Sequence, residues 1–262
     1  MNKTVLITGA SGGIGYELAK IFAREQYDLV LVARSGEKLA VIKEKLEEDY
    51  GILAEIIVKD LSLKDAAEEI HGALSTAGKH VDILVNNAGF GDFGEFAYSD
   101  WNRQYSMVQL NITALMHMTK LFLKPMLENK NGRILNVASI AAFQPGPNMS
   151  VYYATKAAVL SFSEALSREL KGTGVTVTAL CPGPTRTGFE DAASLGNSKL
   201  FKTFKAAPAE DVAAFGYRSL IKGRAVAVPG FINKLLVFTV RFTPRGLVRE
   251  IVYRIQDKRG NG

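Results

Sequence analysis

Thr4-Val5-Leu6-Ile7-Thr8-Gly9-Ala10-Ser11-Gly12-Gly13-Ile14-Gly15 is the stretch whose reading decides the fold. Its first half is an unbroken apolar run, as expected of a strand buried on both faces. A glycine-rich turn follows, and then a segment with apolar residues at helical spacing, Ile14, Leu18, Ile21 and Phe22. A strand, a tight turn and a helix N-terminus let the main chain approach an anion closely and aim N–H groups at it, as a pyrophosphate requires. A strand-to-helix turn with no ligand reads the same way locally, so the rest of the chain must arbitrate. The glycines also fit two spacings. Gly9, Gly13 and Gly15 match G-x-x-x-G-x-G, while Gly9, Gly12 and Gly15 match G-x-x-G-x-x-G.

Outward from this stretch, apolar runs recur at 4–8, 28–33, 53–58, 81–85, 133–138, 175–180 and 225–228, with helix-length amphipathic segments between them. Strands apolar throughout and alternating with helices predict an α/β fold, a Rossmann-type doubly wound parallel sheet of about seven strands with helices on both faces. Ser62-Leu63-Lys64-Asp65 reads as a capping box opening the third helix. Gly172 and Gly174 stop a helix that begins near Val151. The 262 residues, 47% hydrophobic and without a polar linker or internal repeat, suit a single domain over 1–262. The N-terminal run is too short for a signal-peptide core, and no apolar run approaches the ~20 residues that span a bilayer. One cysteine, Cys181, leaves no internal disulfide, and a cytoplasmic protein is expected. His71, His80 and His117 are scattered without ligand spacing, so no metal is expected.

The net charge of +6 is uneven: from Lys222 onward nine basic residues face Glu250 and Asp257, a tail of +7 that leaves about −1 for the first 221 residues. Such a tail suits an acidic partner, a membrane surface or a phosphate-bearing substrate, or is simply a solvated helical face. Nothing points to a nucleic acid.

Several strand ends carry candidate site residues. The second strand ends Ala33-Arg34-Ser35, where a dinucleotide fold ordinarily places an acid that grips the adenosine ribose hydroxyls. An acid repels a 2′-phosphate and a guanidinium pairs with it, so Arg34 reads as selecting NADPH over NADH, with a plain surface arginine as the alternative. Asp60, ending the third strand, is a candidate partner for the adenine amino group. Asn86-Asn87-Ala88-Gly89 closes the fourth strand at the reversal of strand order, where ligands bind, and Asn86 and Asn87 are read as holding backbone and cofactor together. Tyr152 and Lys156 stand at i and i+4 near a helix start. A free tyrosine titrates near 10, and a lysine cation one turn away is expected to favour the phenolate and lower that value. Ser139 ends the fifth strand at the same sheet edge, and Asn111 interrupts the helix before it. Each has a bland reading alone; their conjunction, in this order behind this glycine loop, is the informative feature.

On these residues the chain resembles the short-chain dehydrogenase/reductase family in its compact single-domain branch, from about residue 3 to residue 190. The resemblance rests on Thr8 to Gly15, Asp60, Asn86 to Gly89, Asn111, Ser139, Tyr152, Lys156 and Pro182-Gly183-Pro184-Thr185-Arg186-Thr187. It implies an NADP(H)-dependent oxidoreductase with Tyr152 as acid/base and Lys156 lowering its pKa and holding the nicotinamide ribose. Ser139 would bond the substrate oxygen, and Asn111 would seat a water in a proton relay. The implied cofactor contacts are Gly9, Ser11, Gly12, Gly13, Ile14, Gly15, Arg34, Ser35, Asp60, Leu61, Asn87, Ala88, Gly89, Tyr152, Lys156, Pro182, Gly183, Thr185 and Thr187. The extended branch uses the G-x-x-G-x-x-G spacing with a separate substrate domain, for which the residues after Leu180 are too few. The resemblance also implies a homodimer or homotetramer built on helices near 100–128 and 152–170.

Residues 188–207, with Phe201 and Phe204, suit a substrate lid, and about 230–262 form a basic amphipathic tail. Leu247, Val248, Ile251, Val252 and Ile255 mark the apolar face of its last helix. Three readings of the tail rank in order: closing over a lipophilic substrate, packing in an oligomer, and lying on an anionic membrane. The expected substrate is an apolar ketone or secondary alcohol, a 3-oxoacyl or steroid-like compound among them. The rival functions are an NADPH-binding regulator without turnover and a membrane-peripheral interaction protein acting through the tail.

Overall fold

The computed structural model describes residues 2–188 and 206–256. In chain order the elements are β1 (Thr4–Thr8), α1 (Gly13–Arg24), β2 (Asp28–Ala33), α2 (Gly36–Tyr50), β3 (Ala54–Val58), α3 (Ala66–Thr76), β4 (Ile83–Asn86), α4 (Trp101–Val108), α5 (Leu115–Glu128), β5 (Gly132–Val137), α6 (Ser150–Glu169) and β6 (Val175–Leu180). After them come the two-residue strands β7 (Thr185–Arg186) and β8 (Ala207–Pro208), then α7 (Ala209–Ile221), β9 (Val226–Ala227), α8 (Phe231–Val240) and α9 (Arg245–Gln256).

Seven parallel strands form one sheet in the order β3-β2-β1-β4-β5-β6-β9, with the order reversing between β1 and β4. The apolar runs are explained by coverage on both faces. Along β1, Val5 and Ile7 enter a core with Leu18, Phe22 and, from α7, Val212 and Leu220. Leu6, between them, enters the opposite core with Ile70, Leu84, Phe122 and Val177. All three β1 residues are 0% exposed, and burial of each such side chain contributes about 1.5–3 kcal/mol. Because every strand runs the same way, Thr8, Ala33, Val58, Asn86, Val137 and Leu180 end at one sheet edge, and the reversal there opens a crevice.

Two local expectations fail for identifiable reasons. The capping box at Ser62–Asp65 does not form: α3 starts at Ala66, and the Asp65 side chain makes no capping bond. Ser62 instead donates its N–H (2.9 Å) and its hydroxyl (2.7 Å) to Asp60 Oδ1, because a carboxylate two residues upstream is a nearer acceptor. Asn86 lies 3% exposed between the sheet and its helices, donating to Thr119 Oγ1 and Asn136 Oδ1 (both 3.0 Å), so it does not face the crevice. The interruption expected at Asn111 is a π-helical turn, Gln109–Ala114, joining α4 to α5. The expected lid at 188–207, with Phe201 and Phe204, lies outside the described residues except at its ends. Residues at or beside those ends meet in the short β7–β8 ladder, Thr185 next to Ala207. No helix among the described residues is long and apolar enough to cross a membrane.

Candidate active site

A cleft of about 1180 Å³ runs along the carboxyl edge of the sheet, from Arg34 and Asp60 past the glycine loop and Tyr152 to the C-terminal helices. This exceeds the usual volume of a site for one small ligand and is wide enough for a dinucleotide with a second molecule beside it.

The glycine loop distinguishes its members by backbone geometry. Gly9 and Gly13 have φ of 65° and 54°, the left-handed region that favours glycine. A Cβ on Gly15 would sit 2.4 Å from the Gly9 carbonyl, so its bare backbone lets α1 close onto β1. Gly12 has an extended φ of 175° and nothing within 4 Å of where a Cβ would stand, on the cleft wall. The structural requirement therefore falls on the Gly9, Gly13, Gly15 spacing, and Gly12 keeps the cleft open above the α1 N-terminus. That open cradle fits the pyrophosphate of a dinucleotide. Asn87 stiffens it by donating from Nδ2 to the carbonyls of Thr8 (2.9 Å) and Gly9 (3.1 Å), and the Thr8 hydroxyl accepts from the N–H groups of Asn87 and Ala88. Thr187 packs against Gly13 from the far wall.

At the adenosine end, exposed Arg34 lines the cleft beside Ser35, Asp60 and Leu61. Burial works to raise the Asp60 carboxyl, but the two hydrogen bonds from Ser62 and the nearby Arg34 charge outweigh it and hold the group below its ordinary value. Lys38 and Lys59 also line this end, and neither stood out in the sequence because surface lysines are common. Lys59 is ion-paired with Glu69.

At the other end Tyr152 and Lys156 lie on one face of α6, with Lys156 Nζ 5.8 Å from the Tyr152 ring centroid. Ser139 hydrogen-bonds the Tyr152 hydroxyl. The Ser139 Oγ also accepts from the Ala141 N–H at 3.1 Å. Lys156 is 6% exposed and donates to the Val137 carbonyl at 2.8 Å. The expectation that Lys156 lowers the Tyr152 pKa is reversed here. Burial pushes the phenol up to about 12, with the Ser139 hydrogen bond pulling the other way, and burial pushes Lys156 down to about 8. Desolvation acts against both charged forms and is the largest cause of each shift.

Asn111 stands behind the wall, 1% exposed. Its Nδ2 donates to the Phe90 carbonyl (2.9 Å) and Thr155 Oγ1 (3.1 Å), while Oδ1 accepts from the Phe90 N–H (3.1 Å). Both amide donors are spent on protein. Of the remaining expected residues, Ser11, Ile14, Gly89, Pro182, Gly183 and Thr185 line the cleft, whereas Gly15 lies beneath it.

The C-terminal helices supply a wall that sequence reasoning only outlined. Val237 and Val240 from α8 and Val248, Ile251, Val252 and Ile255 from α9 line the cleft opposite Met149 and Phe143. Two polar contacts attach this wall. Asn233 packs its amide on Gly183, and Gln256, 0% exposed, donates from Nε2 to the Tyr153 hydroxyl at 2.6 Å. Burial raises the Tyr153 phenol, which therefore stays neutral and able to accept. Tyr153 shares an edge-to-face contact with Tyr152, centroids 6.0 Å apart, so the tail is joined to the residue beside the candidate catalytic tyrosine. A partnership across 103 residues leaves no spacing signal in a sequence.

Comparison with known proteins agrees with this geometry. The protein-family model described as short chain dehydrogenase matches residues 3–197. Serine 3-dehydrogenase of Agrobacterium fabrum is 35% identical over 221 residues, 81% of this chain and 86% of that one. A short-chain dehydrogenase from Sphingobium yanoikuyae, solved in complex with NADPH, superposes with a TM-score of 0.83 at 30% identity, covering 94% of each chain. A bulky-bulky ketone specific alcohol dehydrogenase from Comamonas testosteroni gives a TM-score of 0.78 at 28% identity, covering 94% of this chain and 93% of that one. The chain belongs to the short-chain dehydrogenase family, and with membership come its dehydrogenase/reductase class of reaction and a nicotinamide cofactor.

Proposed function

We propose that the protein is an NADPH-dependent carbonyl reductase acting on a bulky, largely apolar ketone. The observation that carries the reading is the Ser139–Tyr152–Lys156 cluster, set where the glycine cradle meets the apolar wall. When bound, NADPH supplies the hydride that forms the new C–H bond. The Ser139 hydroxyl orients the substrate oxygen, and Tyr152 transfers its phenolic proton to that oxygen as the C=O π bond opens. Burial pushes the phenol up to about 12, so it carries its proton in the neutral range, which suits a proton donor. The Lys156 cation offsets the phenolate that remains until solvent returns the proton. Arg34 would pair with the 2′-phosphate and Asp60 with the adenine amino group, while Asn111 holds the backbone of Phe90, which lines the cleft.

The wall of Val237, Val240, Val248 and Ile251 favours an apolar substrate, and the likeness to a bulky-ketone dehydrogenase supports the same class, 3-oxoacyl or steroid-like ketones included. Self-association through helices α4, α5 and α6 is part of this reading, which the exposed Trp101 and Tyr105 of α4, at 65% and 53%, support.

The test is NADPH consumption against a panel of ketones, aldehydes and 3-oxoacyl thioesters by wild type and Tyr152→Phe, with NADPH binding followed by fluorescence. The expected result is a fall in kcat of about 10²–10⁴ in the variant with binding retained. Equal turnover by the variant removes Tyr152 from its role. Binding without turnover of any substrate by either protein favours a cofactor-sensing regulator instead.

A further inference from the structure

Helix α8 is apolar on two opposite sides, and the cleft accounts for only one of them. Ile232, Leu236, Val237 and Val240 line the cleft. Leu235, Phe238 and Phe242 do not, and their i, i+3, i+7 spacing sets them in one stripe on the other side, continued toward the rim by Phe231. They are 50%, 58% and 73% exposed, Phe231 is 80% exposed, and the rings of Phe238 and Phe242 meet at a tilt, centroids 5.0 Å apart. No residue of α8 is buried. A stripe of large apolar side chains held in water is unfavourable unless something covers it.

The surrounding charge indicates what that is. Lys234, whose Nζ lies 5.8 Å from the Phe215 ring centroid, and Arg241, seven residues on, border the stripe on one side, and Arg245 and Arg249 follow on α9, all exposed and none in a salt bridge among the described residues. Glu250, the one acid between Phe231 and Gln256, is paired with Arg254 at 2.7 Å. An apolar stripe bordered by long cationic side chains matches the boundary of an anionic bilayer, where the rings enter the acyl region and the cations reach headgroup phosphates. A second copy of the chain is a poorer occupant, since a two-fold contact through this face would bring like-charged tails together.

We propose that the outer face of α8, with the basic residues of α8 and α9, docks the protein on anionic membrane surfaces. Phe231 and Ile232 belong both to the cleft lining and to the exposed face, so docking sets the cleft beside the lipid. This moves the membrane, ranked last of the three readings of the tail, ahead of the oligomer and beside the substrate-covering role. The reason is that helical spacing reveals an apolar face but not that α8 has two.

The experiment is cosedimentation of the full chain with vesicles of phosphatidylcholine alone and of phosphatidylcholine with about a third phosphatidylserine. It compares wild type, Phe238→Glu/Phe242→Glu and Arg241→Gln/Arg245→Gln. None of the four residues lines the cleft, so NADPH binding and thermal midpoint serve as folding controls. The expected result is binding to the anionic vesicles only, weakened several-fold by added salt. The Phe pair should lose at least about tenfold, and the Arg pair about fivefold per cation. Absence of binding to either vesicle overturns the proposal, as does equal binding to both or wild-type binding by the folded Phe variant. A wild-type dimer that the Phe variant converts to monomer also overturns it, and assigns the face to a second copy. None of these outcomes depends on turnover, so they stand or fall apart from the reductase reading.

Discussion

Val5-Leu6-Ile7 in β1 and Leu235-Leu236-Val237-Phe238 in α8 are alike in composition and opposite in fate. The first three are 0% exposed; Leu235, Leu236 and Phe238 are 50%, 39% and 58% exposed. The difference is topological. β1 is flanked by β2 and β4 and covered by helices above and below, whereas α8 follows the edge strand β9 and buries none of its residues. The cofactor half is fixed by the sheet and tolerates little change. The tail half rests on a small apolar cluster, Val248 and Val252 against Met149 and Tyr153, and a few polar attachments, and is where substrate range can vary without disturbing the cradle.

Substitutions that act on one half and spare the other test this division. The largest effect is expected from Arg34→Asp, which should weaken NADPH binding by on the order of 10–100-fold while sparing NADH, read by fluorescence titration. Unchanged NADPH affinity would remove Arg34 as the 2′-phosphate ligand. Next is a pH effect. Lys156 keeps its cation below about 8 and loses it above, so carbonyl reduction should hold level to that pH and then fall by about tenfold per unit. A profile still level at pH 10 would mean that the lysine charge plays no part.

On the tail side, Gln256→Ala should raise KM for bulky ketones a few-fold, with kcat for a small ketone and NADPH affinity unchanged. It should lower stability by about 1–3 kcal/mol, because the buried Tyr153 hydroxyl loses its donor. An equal loss for small and bulky substrates would mean that the two halves are not separable. The smallest signal is from Cys181, 0% exposed and pushed up to about 12 by burial, which should resist thiol reagents in the folded protein. Rapid labelling would show that the cofactor half opens as readily as the tail.

The seven strands and the Tyr152–Lys156 pair were legible because their signals are local: parallel strands covered on both faces are apolar throughout, and i, i+4 spacing fixes a shared helix face. What could not be read depends on three-dimensional neighbours. Burial reverses the pKa shift expected of Tyr152, and Asp60 draws Ser62 away from its helix cap. Asn86 turns inward because Thr119 and Asn136 wait there. Two glycine spacings that a sequence cannot separate are separated at once by the φ angles of Gly12 and Gly13. Gln256 was invisible for want of any spacing rule linking it to Tyr153.

One bond pattern near the site has a wider meaning. Asn111 gives a hydrogen to the Phe90 carbonyl and takes one from the Phe90 N–H, the same reciprocal exchange that two facing residues make across antiparallel strands. A single side chain thus behaves as a one-rung strand, extending the order of β4 beyond Asn86 where a real strand would fill the cleft. Such a rung needs a group that donates and accepts at once. An aspartate of the same shape would set a charged oxygen against the Phe90 carbonyl, so at this position an amide is part of the architecture as much as a peptide bond is.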